Sequence, residues 1–161
     1  MKFIKILAVA LLVVAVGLFA YKNELSQKQN APEDGEYFGF IRSLNSDEVN
    51  FDGARWLNGK EGEDAAIRAG VCTEETRTEC LPNNFFIDNS SKDTRKIQLD
   101  SSLEIRMATW RMEELGVTET PITLGEFREA INNSELHWSQ LPYRISISNG
   151  RIVKISEVYL P

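Results

Sequence analysis

The sequence predicts an α+β, β-rich domain: a bent antiparallel sheet or small partly open β-barrel with two short helices, preceded by one N-terminal transmembrane helix. Three observations carry that expectation. Short runs of alternating apolar and polar residues recur after residue 36, separated by turn-forming residues. Asn149-Gly150 stands between two such runs, and this dipeptide suits a hairpin turn in which both central residues need positive φ. At the other end of the chain, Ile6–Ala20 is a 15-residue apolar run without charge or proline.

That run spans roughly 22 Å as a helix at 1.5 Å per residue. With Phe3, Ile4 and Tyr21 added, and the Lys5 stem snorkelling, residues 3–21 reach about 28 Å. A hydrocarbon core is roughly 30 Å thick, so the segment just spans it. The competing reading is a cleaved signal peptide, which would leave the rest of the chain secreted. A cut after Ala20 puts Leu18 where a small residue is wanted, and Ala15 and Gly17 would place the cut inside the run. No cysteine near the end of the run accepts a lipid. A retained anchor is therefore the expectation, with the lipid bilayer as the partner of residues 3–21. Lys2 and Lys5 make the first flank the more positive, which places the N-terminus in the cytoplasm and the following residues outside. The expected organisation is an anchor over 1–21, a polar tether over 22–36 containing Pro32 and Gly35, and an extracytoplasmic domain over 37–161.

Of the 18 basic residues four precede residue 31, and of the 24 acidic residues one does, which leaves a formal charge of −9 on the remaining 131 residues. Such an acidic surface repels phosphate backbones and weighs against nucleic acid as a partner. Cys72 and Cys80 lie eight apart in a polar segment, without a nearby histidine to make a metal site. In an exported domain they read as a disulfide closing a short loop.

Along the domain, Tyr37–Ile41 and Glu48–Phe51 form strands around the turn Asn45–Asp47, and Gly39 within the first marks a bulge or a close approach of another backbone or ring. Asp52 is placed to cap a short turn that buries Trp56 and Leu57. Glu63–Ala69 is helix-forming, with Gly70 as its stop. Asn84–Asp88, Lys96–Leu99 and Ser102–Arg111 read as further strands, and Glu113–Thr120 as a loop. Thr123 and Glu126 have capping-box spacing and open a helix over Gly125–Asn132 with Phe127 and Ile131 on one face. Tyr143–Ser148 and Arg151–Val158 flank the Asn-Gly turn. About seven strands result, and the tight turns between successive strands imply antiparallel pairing.

No catalytic, cofactor or metal residue is assigned. His137, the sole histidine, sits beside Trp138 and reads as a packed or surface residue. Carboxylates cluster at Glu61/Glu63/Asp64, Glu74/Glu75 and Glu113/Glu114, as solvated faces do. Asp88–Asp93 is rich in oxygen ligands but lacks the glycine and final glutamate of a calcium loop. The aromatic residues read mainly as core, and the place to look for an apolar pocket is between Trp56, Phe86 and Trp110. The leading expectation is a membrane-tethered, non-enzymatic binding domain for an envelope protein or cell-wall ligand. A cell-wall carbohydrate hydrolase working through paired carboxylates and a small apolar-ligand carrier are the alternatives.

The stretches YFGFIRSL, VNFDGARWLNG, CLPNNFFIDN and YRISISNGRIVKISEVYLP resemble those of small exported or membrane-anchored bacterial β-rich proteins. The resemblance implies a short N-terminal anchor, a β-rich domain and a C-terminal Asn-Gly hairpin, and no catalytic residue.

Overall fold

The computed structural model describes residues 32–160 apart from 78, 93, 134 and 136. In chain order they form β1 (Gly35–Leu44), β2 (Glu48–Gly53), β3 (Arg55–Asn58), α1 (Gly59–Arg68), β4 (Phe85–Asp88), β5 (Thr94–Met107), α2 (Met112–Leu115), β6 (Thr120–Pro121), α3 (Leu124–Asn132), a 3₁₀ turn (Trp138–Gln140), β7 (Pro142–Ser148) and β8 (Arg151–Glu157). No helix among the described residues is long and apolar enough to cross a membrane. The predicted anchor, residues 1–21, lies outside them, as do residues 22–31 of the tether.

Five strands close a barrel. β1 pairs with β2, β2 with β5, β5 with β8, β8 with β7, and β7 with β1 again. The expected β-rich barrel with short helices is present, but it is closed rather than partly open and not purely antiparallel, because β5 and β8 run parallel and their pairing completes the circuit. Turn signals report only sequential neighbours, whereas this pair joins residues about 50 positions apart. The two predicted strands over 96–111 are one long strand, β5, whose first part pairs with β2 and whose later part pairs with β8. The predicted loop over 113–120 contains most of α2 and the start of β6.

Inward positions alternate as a half-buried strand requires. Ile41, Val49, Phe51, Ile97, Ile105, Ile145, Ile152 and Ile155 fill the interior, and α3 plugs one side with Phe127 and Ile131. Phe127 meets Tyr143 edge to face at 5.7 Å. The Asn-Gly hairpin forms as predicted, with φ of 52° at Asn149 and 71° at Gly150.

Outside the barrel, β3 and β4 make a two-stranded sheet on which α1 packs. The disulfide Cys72–Cys80 is formed, with its Cα atoms 5.8 Å apart. Arg77 ties its loop back through ion pairs to Asp64 and Glu63 of α1 and to Glu74.

The predicted cap role of Asp52 is also corrected. It lies in β2, is 4% exposed, and its Oδ2 accepts Arg42 Nε at 2.9 Å, Arg42 Nη2 at 2.7 Å and Asn89 Nδ2 at 2.9 Å. Arg42 is the extra residue of a β-bulge between Ile41 and Ser43, which turns its side chain toward Asp52. The following residues, expected as a turn burying Trp56 and Leu57, are strand β3.

Candidate functional site

A groove of about 440 Å³ opens beside β5 where that strand bulges between Leu99 and Glu104. β2 pairs with β5 only as far as Gln98, β6 takes up again at Arg106, and the β8 ladder skips from Leu99 to Glu104. Residues 100–103 therefore form a bulge that lies opposite Val153 of β8 alone. Leu99, Leu103 and, from the first turn of α3, Leu124 supply the apolar floor. Ser46, Asp47, Asp100, Ser101 and Arg151 supply the polar rim.

Each wall is held from behind. The β1–β2 turn is fastened to α3 by Arg128, which donates to the carbonyls of Asn45 at 3.2 Å and Ser46 at 2.7 Å, and by Asn132, which donates to that of Leu44 at 3.1 Å. The Asp47 carbonyl accepts Leu99 N–H at 2.7 Å, so the turn is stitched to the lip of β5. Arg151 Nη1 donates to the Leu99 carbonyl at 3.0 Å and pins the guanidinium to the same lip. Leu124 follows the N-cap Thr123, where a full capping box with Glu126 starts α3 at a fixed point.

The rim is electrostatically mixed. Asp100 Oδ1 accepts the Ser102 amide at 2.9 Å and its hydroxyl at 2.7 Å. Those bonds, with the field of Arg151, hold the Asp100 carboxyl below the usual carboxylate range. Asp47 Oδ1 accepts the Ser46 hydroxyl at 3.0 Å. Both carboxylates keep a second oxygen for a ligand, and a guanidinium has five N–H donors, of which Arg151 spends one on Leu99. A concave surface with apolar side chains and a few orienting charges can hold a ligand.

The predicted pocket residues fall elsewhere, and none of Trp56, Phe86 and Trp110 lines the groove. Trp56 stacks on Phe85 at 4.1 Å, meets Phe38 edge on at 5.6 Å and donates Nε1–H to Asn58. Phe86 belongs to the same two-stranded sheet, opposite Leu57. Trp110 instead pairs with Trp138 at 4.8 Å against the barrel core.

Several of the other carboxylates are already engaged. Glu63, Asp64 and Glu74 are taken by Arg77. Asp88, the head of the calcium-like segment, is held down to about 2 by its bond to Arg55, with Ser90 adding to it. No group of three or more metal-ligating side chains occurs among the described residues. His137 is exposed, in a left-handed conformation with φ 55°, and its Nδ1 lies 3.4 Å from Gln140.

Sequence reasoning missed the groove. Its one local trace is Asp100-Ser101-Ser102, a polar break in the alternation of β5 that splits the strand in two when read by pattern alone. No family model, curated protein or solved structure matches the chain.

Proposed function

We propose that the chain is a non-enzymatic binding or interaction module, tethered by residues 3–21 to a membrane with its N-terminus cytoplasmic and its barrel extracytoplasmic, and that the groove beside β5 receives its partner. The observation that carries this reading is the groove itself, a concave apolar floor rimmed by charges of both signs where β5 bulges out of its ladder with β8. Such a surface gains affinity from apolar burial and orientation from its few polar groups. The strand circuit adds support. A five-stranded barrel with one parallel pair, and a helix between its third and fourth barrel strands, has OB-fold connectivity. Barrels of that type bind ligands on a strand face and its flanking loops. Fold alone sets no function, so the residues of the groove bear the weight.

Photo-crosslinking in intact cells tests the reading. A benzophenone side chain at Ser101 should give a discrete adduct in the membrane fraction, and Leu103→Arg in the same chain should abolish it. The same label at the exposed Lys60, on α1, should give none. An adduct from Lys60 alone, or no adduct from Ser101, would sink the proposal.

A further inference from the structure

Resting on that reading of the groove, we infer that its ligand is a small dibasic α-amino acid, of the class of lysine and ornithine, held at its charged ends and along its aliphatic stem. The first observation is the charge set. Asp47, Asp100 and Arg151 line one groove. Among the described residues no ion pair joins Arg151 to either aspartate, although its field acts on Asp100. Elsewhere Arg42, Arg55 and Arg77 are each closed onto a carboxylate. Opposite charges that share a groove without pairing are complemented by a ligand that carries both signs. Two carboxylates and one guanidinium match two ammonium groups and one carboxylate, the charge pattern of a dibasic amino acid.

The second observation is that these groups are held in place with capacity to spare. The bulge over residues 100–103 is closed on itself by the Ser102 amide on Asp100 Oδ1, which leaves Oδ2 for a ligand. Asp47 likewise engages one oxygen with the Ser46 hydroxyl and keeps the other. Arg151 spends one N–H on the Leu99 carbonyl, which fixes the guanidinium and leaves donors for a carboxylate. The third is the floor. Leu99, Leu103 and Leu124 offer aliphatic surface without an aromatic ring, suited to a methylene stem rather than to a sugar face. The volume of about 440 Å³ lies toward the small end of ligand pockets, which run from about 300 to 1,000 Å³. A phosphate ligand would set its charge against two aspartates, and a polyamine would meet Arg151 without a carboxylate to offer it. The chain beyond residue 30 carries −9, so an amino acid of net positive charge is also drawn to this surface before contact.

The test is calorimetric titration of the full chain in phosphatidylcholine nanodiscs with four probes that delete one contact at a time: L-lysine, L-norleucine without the side-chain ammonium, 6-aminohexanoate without the α-ammonium, and cadaverine without the carboxylate. Lysine should bind at least tenfold more tightly than each of the others. Asp47→Asn with Asp100→Asn should weaken lysine at least tenfold, while Glu113→Gln with Glu114→Gln, which removes the same charge from the exposed α2, should change it less than twofold. Arg151→Met should weaken lysine at least tenfold and leave cadaverine no weaker, a result that an unfolded variant cannot give. Absence of saturable lysine binding, equal affinity for the four probes, or equal losses in the two double variants would each overturn the inference. The Ser101 adduct separates this failure from failure of the groove. An adduct with the mass of one amino acid supports the inference, whereas an adduct with the mass of a protein keeps the groove as the site and overturns the amino-acid class.

Discussion

Gly39 shows how far a single residue can be read. Its place inside an alternating strand signals a close approach, and the structure supplies the neighbours. A Cβ there would run into the Asp52 carbonyl oxygen and lie 2.9 Å from the Phe51 ring. Since the first clash is with backbone, β1 and β2 would have to part. Gly39→Ala should therefore lower stability by about 1–3 kcal/mol, read as a fall in the urea midpoint without change in slope; an unchanged midpoint would show that the strands yield freely. Asp52, thirteen positions on, illustrates the opposite case. A short polar residue before a glycine looks like a cap, yet here it is a buried carboxylate with three donors on one oxygen. Nothing local distinguishes the two, because Arg42 and Asn89 reach it from other strands and loops.

At the scale of elements, the legible ones are those whose signals lie within a few residues. The capping box of α3 is present as spaced, with the Glu126 amide donating to Thr123 Oγ1 at 3.2 Å and the Thr123 amide donating to Glu126 Oε2 at 2.7 Å. Thr123→Ala should cost about 1 kcal/mol. The same change should also raise amide exchange at Glu126, whose N–H loses its acceptor, and at Phe127 in the same turn before it affects β7 and β8. Uniform acceleration across the domain would contradict a local role. The β5 strand was harder to read. Its polar interruption looks like the end of one strand and the start of another, because partners change along its length: β2 for its first part and β8 for its later part. The groove sits at that change of partner, so the misreading of the element and the missed site share one cause.

For the whole molecule, closure of the barrel sets the solvent exposure of groups that no local pattern marks as special. Tyr143 is fully buried, its hydroxyl donating to the Trp138 carbonyl at 2.9 Å. Burial, with the nearby Glu157 carboxylate, raises its phenol well above the ordinary 10.0. The folded state therefore keeps this proton at pH values where the unfolded chain releases it. Stability contributed by the protonated phenol is intact below pH 10 and declines as pH rises beyond it, by about 1.4 kcal/mol per pH unit for this site. Urea midpoints should hold to about pH 9.5 and then fall. Tyr143→Phe should shallow that fall while costing about 1 kcal/mol at neutral pH for the lost hydrogen bond. An alkaline limb equally steep in both proteins would remove Tyr143 as its source.

Residue order alone encodes what acts over short distances: strand alternation, the Asn-Gly hairpin, the helix cap, and the disulfide between cysteines eight apart. In each case the interacting groups are near neighbours along the chain, so residue type and spacing suffice. The parallel β5–β8 pairing, the burial of Asp52 and the groove arise from the folded barrel. The groove draws residues 46–47, 99–101, 103, 124 and 151 together. Segments so far apart meet because the barrel closes, and closure is a property of all five strands at once rather than of any stretch that contributes to it.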